Sequence, residues 1–170
     1  GLSVFEVSGW VRNETNSTNL ENVSRLAVVV KVRPGSDDID LNNTYILMSN
    51  GGKKALLRYN YTNSSDAFIS QVNGDMFTAL GDAGWNTTGT ETFAIGVLQD
   101  EDTSLTASNP VLNRGDKAII YICTNTSFLF GEQLPPRTDV FGRVIPEIGS
   151  PGVISFTTPM TYVDQVYKLQ

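Results

Sequence analysis

Apolar residues in this chain recur at every second position, and that spacing restricts its fold more than any other feature. Between residues 25 and 33, Leu26, Val28, Val30 and Val32 mark one face, with Arg25, Ala27, Val29, Lys31 and Arg33 mixed on the other. Successive side chains of a strand point to opposite faces, so the pattern fits a half-buried strand. Pro34-Gly35 ends it. Residues 44–49 and 54–61 repeat the pattern on either side of Asn50-Gly51-Gly52, where backbone freedom at positive φ allows a tight reversal. Further β-rich runs cover 67–72, 93–98, 117–124, 139–145, 152–157 and 162–169, each bounded by Gly, Pro, Asn or Ser. Only 74–81 has room for a short helical turn, and no segment sustains a 3.6-residue period over three turns. The expected fold class is therefore all-β, a single domain over residues 1–170 built as an antiparallel β-sandwich or Greek-key jelly roll.

Charge and composition remove several functions. Twelve Lys and Arg against 18 Asp and Glu give a net charge of -6. A surface of that sign does not track nucleic-acid phosphates. Histidine is absent, which excludes Ser-His, Cys-His and His-metal arrangements. The longest apolar runs, 26–30 and 118–123, fall far short of the roughly 20 residues of a spanning helix, so no membrane contact is expected of these residues. The single cysteine, Cys123, sits in an apolar strand with no cationic neighbour to lower its pKa and reads as a core residue.

Asn, Ser and Thr account for 14, 14 and 17 residues, an uncharged, hydroxyl-rich complement. Eight asparagines open an Asn-x-Ser/Thr sequon: Asn13, Asn16, Asn22, Asn42, Asn60, Asn63, Asn86 and Asn125. Chance at this composition would give about two or three, so the excess points to an extracellular glycosylated surface. Their clustering in 13–24 and 60–65 places most of them in expected loops.

The stretch Asp100-Glu101-Asp102-Thr103-Ser104 follows the 93–98 strand. Asp100, Asp102 and Ser104 alternate, so their oxygens can converge on a hard cation, Ca²⁺ or Mg²⁺; the same residues also suit a solvated acidic turn. An EF-hand is excluded, since its glycine position holds Leu105 and its glutamate position Val111. Asn109, Asn113 and Asp116 can close the site if the flanking strands pair. Asp37, Asp38 and Asp40 form a second acidic group, read as turn residues beside the core residues Ile39 and Leu41. No carboxylate pair stands out as a glycosidase dyad. Trp10 and Trp85 are the only tryptophans. A cleft lined by them would favour a second reading, a calcium-dependent carbohydrate-binding or adhesin β-sandwich.

The C-terminal third carries a more specific signal. Pro135-Pro136-Arg137-Thr138, then Val140-Phe141-Gly142-Arg143-Val144-Ile145-Pro146-Glu147, then Gly149-Ser150-Pro151-Gly152-Val153-Ile154-Ser155-Phe156-Thr157-Thr158-Pro159 closely resemble the end of archaeal flagellins, the archaellins. Val7-Ser8-Gly9-Trp10-Val11, the 100–105 stretch and Val111-Leu112-Asn113-Arg114-Gly115-Asp116 match upstream in the same order. The resemblance implies a structural, non-enzymatic subunit of the extracellular archaellum filament, with other archaellin subunits as partners. Archaellins resemble type IV pilins in carrying a charged leader and a long hydrophobic helix. Residues 1–170 are accordingly read as the outer β-domain lacking that N-terminal helix. The resemblance also implies N-glycans and a structural divalent cation, foremost Ca²⁺. Carried onto matching positions, its ligands are Asp100, Asp102 and Ser104, with Asp116 as a fourth.

Overall fold

The computed structural model describes residues 1–13, 20–59, 65–81, 84, 85, 88, 91–124 and 133–170. Their strands are β1 (Leu2–Asn13), β2 (Leu20–Val32), β3 (Ile39–Asp40), β4 (Tyr45–Ser49), β5 (Lys54–Tyr59), β6 (Phe68–Ile69), β7 (Thr92–Gln99), β8 (Val111–Leu112), β9 (Lys117–Cys123), β10 (Asp139–Ile145), β11 (Gly152–Thr157) and β12 (Val166–Lys168). The helical turn α1 (Met76–Ala79) falls inside the expected 74–81 segment and is capped by Asp75, whose carboxylate accepts the Phe77 N–H at 3.0 Å. The β4–β5 hairpin also forms as expected. Gly51 turns at φ 92°, and Asn50 Oδ1 accepts the Gly52 and Lys53 N–H groups at 3.1 and 2.8 Å.

One sheet runs in the order β11-β10-β4-β5-β7-β9-β2-β1-β12, with β6 beside β7; β3 and β8 form a separate ribbon. Its pairings are antiparallel except for short parallel contacts of β5 and β6 with β7. The sheet curls until its two ends meet. Leu2 N–H donates to the Ser150 carbonyl at 3.0 Å, and a Cβ on Gly152 would lie 2.8 Å from the Leu2 side chain. Gln170 completes the junction. Its backbone exchanges two 3.1 Å hydrogen bonds with Val7, while its side-chain amide accepts from Ser155 N–H at 2.7 Å and donates to the Val153 carbonyl at 2.9 Å. The edge of β11 thereby finds partners it would otherwise draw from water or another chain.

Inside lie Leu26, Val28 and Val30 of β2, Ile46 and Met48 of β4, Leu57 of β5, Phe93 and Ile95 of β7, and Ile120 and Ile122 of β9. Strands β2 and β9 are buried on both faces, Ala27, Val29, Ile119 and Tyr121 included. The segment around α1 covers them: Tyr121 Oη donates to the Met76 carbonyl at 2.9 Å, and Trp85 stands edge-on to Tyr121 at 5.3 Å. A doubly covered strand reads as a continuous apolar run, which explains 26–30 and 118–123.

β1 escapes a period-two reading. Leu2 is buried at an even position, Val7 and Val11 at odd ones, because the β1–β2 register shifts by a residue at Phe5. That bulge reverses the phase of the alternation.

Candidate metal centre

The acidic stretch forms the start of the long connection between β7 and β9, which pair antiparallel and so bring residues 100 and 116 together. Asp100 organises the first turn. Its carboxylate accepts the N–H groups of Ser104 at 3.3 Å and Leu105 at 3.1 Å, and Thr103 adopts φ 58° to close it. Leu105 bridges to Pro110 and is buried with Leu112, fixing the outgoing strand. A second turn at Asn113 to Asp116, with Gly115 at φ 92° and Asp116 N–H donating to the Asn113 carbonyl at 3.1 Å, returns the chain to β9.

Three carboxylates converge between these turns. One oxygen from each of Asp100, Asp102 and Asp116 lies within 4.8 Å of the others. Asp100 is half-buried, Asp102 exposed and Asp116 only 2% exposed. Ser104 stands at the centre: its hydroxyl faces the Val111 carbonyl at 3.0 Å and Asp116 Oδ2 at 3.2 Å, and it accepts from Asn113 Nδ2 at 3.1 Å. Asn113 Nδ2 also donates to Asp102 Oδ2, and Asn113 N–H to Asp116 Oδ2 at 3.0 Å. The structure therefore gathers the four expected ligands, with Asn113, also expected to close the site, beside them. Asn109 is not among them, since it closes a local turn with Thr106.

The electrostatics of the three acids differ. Burial raises the Asp116 carboxyl above the usual carboxylate range, against the pull of the Asn113 N–H. Hydrogen bonds from Ser104 and then Asn113 lower Asp102. Asp116 Oδ1 is the one buried side-chain oxygen or nitrogen among the described residues without a hydrogen-bond partner. Native interiors rarely leave such an atom unsatisfied, because a lone buried acceptor costs about 1–3 kcal/mol. An all-oxygen set of carboxylates, a hydroxyl and an amide fits a hard cation in chemical type.

The second acidic group keeps its bland role. Asp40 caps the 3-10 turn Leu41–Asn43, accepting the Asn42 N–H at 2.9 Å, and Ile39 and Leu41 are buried. Nor do the tryptophans line a cleft. Trp85 is 3% exposed, and the Arg25 guanidinium lies between it and Trp10, 4.7 and 4.5 Å from their rings. Trp10 is half-buried and packs against the margin of the core. Among the sequons, Asn42 is exposed. Asn13 is the last residue of β1, and Asn22 is half-buried within β2, so the expectation of loops fails there. Polar residues on one face of β2 let that strand begin well before its apolar run. Asn16, Asn60, Asn63, Asn86 and Asn125 lie outside the described residues.

The sequence model of archaeal-type flagellin matches residues 2–156. Flagellin B2 of Methanocaldococcus jannaschii is 42% identical over 172 residues, covering 100% of this chain and 72% of that protein. The crystal structure of archaeal flagellin FlaB1 from the same organism superposes with a TM-score of 0.81 at 30% identity, covering 100% of this chain and 96% of that one. The archaeal flagellum of Methanospirillum hungatei superposes at 0.55 with 15% identity, over 98% of this chain and 70% of that one, a likeness of fold.

Proposed function

This chain belongs to the archaeal-type flagellin family, and on that premise we propose that it is a β-built, load-bearing part of the extracellular archaellum filament, held rigid by a divalent cation and catalysing no reaction. Its partners are other flagellin subunits. The family match across residues 2–156 carries the filament reading. Immunogold labelling of native archaella with antibody to this chain should decorate the shaft, and bare filaments beside labelled cell debris would contradict the assignment.

The unpartnered Asp116 Oδ1 carries the cation reading. Asp100, Asp102, Ser104 and Asp116 would hold the ion, and Asn113 joins them if its amide is turned, an orientation set by the hydrogen-bond network. A bound Ca²⁺, or Mg²⁺ as the smaller alternative, would supply the positive charge that three neighbouring carboxylates need. The chain's own share is preorganisation: backbone N–H groups aim Asp100, and the Ser104 hydroxyl and Asn113 N–H aim Asp116. Saturating calcium should raise the melting temperature by about 5–10 °C over an EDTA-treated sample, the mass-action gain at roughly a hundredfold excess over Kd for a chain of this length. An unchanged melting curve would remove the ion from the account.

The hydroxyl-rich surface and the excess of sequons support a glycosylated exterior. Mass spectrometry of peptides from native filaments should find sugar on several of the eight asparagines, the exposed Asn42 among them. Uniformly unmodified peptides would exclude it.

A further inference from the structure

The two faces of the curled sheet are treated unequally. Over β2, β7 and β9 the outside is covered by the α1 segment. Over β4, β5, β10 and β11 it is bare among the described residues. There Tyr45, Leu47, Leu56, Phe141 and Val153 are 46%, 38%, 53%, 54% and 55% exposed. Pairing aligns them into one field. Leu56 faces Leu47 and Arg143 faces both Leu47 and Val153, while Phe141 lies between Ser49 and Ser155. Two shallow grooves of about 530 and 490 Å³ open on this same field. Exposed apolar residues gathered on one face mark a contact surface.

The charge on the field selects the occupant. Lys54, Arg58 and Arg143 point outward among the apolar residues, outnumbering the exposed acid Glu91 in the first groove, and none of the three forms an ion pair with a described residue, although the chain as a whole carries -6. A second apolar surface has the opposite sign. Between β11 and the first residue of β12, Met160, Val163 and Val166 are 72%, 72% and 50% exposed around the acid Asp164. We propose that the face of β4, β5, β10 and β11 receives the 160–166 segment of a second copy of this chain, with Asp164 meeting the Lys54 and Arg143 cations. A symmetric face-to-face contact would instead bring two faces of net positive charge together across the dyad. A contact between two different patches leaves one of each free on every pair, so it propagates from copy to copy, building an open helix when the rotation between copies does not close a ring. This inference rests on the filament reading and names the surfaces that reading needs.

Cysteine pairing tests it, because Cys123 is buried and does not compete. Filaments grown from equal amounts of Leu56→Cys and Val163→Cys chains should give a mixed disulfide under mild oxidation. Filaments that incorporate both chains but yield no cross-link, or only the Leu56→Cys homodimer, would overturn the proposed contact while leaving the filament role intact. Failure of the unsubstituted chain itself to enter filaments would instead count against the filament role and take this contact with it. Charge exchange gives an independent reading. Arg143→Glu should raise the concentration needed for assembly about tenfold, the scale of one interfacial charge pair, and Asp164→Arg in the same chain should restore it. Absence of rescue would overturn the pairing of these two residues.

Discussion

At the scale of single residues, Asp116 and Tyr121 show how burial decides behaviour. Asp116 combines a buried carboxylate with one unsatisfied oxygen, so its native environment is uncomfortable without a cation. In EDTA, Asp116→Asn should melt no lower than the parent, because it removes a buried charge. Added calcium should then no longer raise its melting point. A large loss of stability in EDTA would mean that the carboxylate is satisfied some other way. Tyr121 titrates in the alkaline direction. Burial raises its phenol above the usual tyrosine value, with the Asp75 charge adding to the effect. For an acid whose folded pKa is raised, the unfolded chain loses its proton first. The stability it contributes is full below about pH 10 and falls as the pH climbs beyond that. Tyr121→Phe should cost about 1–2 kcal/mol at neutral pH, since the Met76 carbonyl loses its donor, yet flatten the decline in melting temperature above pH 10. An equally steep decline in the variant would place its cause elsewhere.

Among the elements, the junction between the two ends of the sheet gains its side-chain hydrogen bonds to β11 from one residue. Gln170 joins β1 to β11 by four hydrogen bonds, two from its backbone to Val7 and two from its amide to Val153 and Ser155. Gln170→Ala should lower stability by about 1–2 kcal/mol and speed amide exchange at Ser155 specifically. Unaltered protection there would show that the junction closes without the amide. Gly142 makes a different demand. A Cβ at that position would sit 2.6 Å from the Leu47 carbonyl and 2.7 Å from Met48 sulfur, so β10 can approach β4 this closely only without a side chain. Gly142→Ala should destabilise the chain by roughly 1–3 kcal/mol, measured by denaturant unfolding.

For the whole molecule, the sequence was most legible where one strand face met the core and the other met water. The β4–β5 hairpin, β10, β11 and the α1 turn stand close to where period and turn chemistry put them, and an all-β class follows from that alone. β1 was missed because the Phe5 bulge shifts its phase, and β2 was read short because Asn22 and its polar neighbours mimic a loop. The acidic stretch announced Asp100, Asp102 and Ser104 through local alternation, and Asp116 with Asn113 through the expected pairing of the flanking strands. Periodicity and turn residues are local properties, set by backbone geometry over a few positions, so the sequence by itself determined the all-β class and the regular strands, along with the exclusion of histidine chemistry and the archaellin kinship. Only the tertiary structure decided that Asp116 is buried with an unpartnered oxygen, that Trp85 packs inward around Arg25, that Gln170 seals β11, and that one sheet face stays bare. Each of those depends on which distant segments come to lie together, and burial and charge compensation exist only once they do.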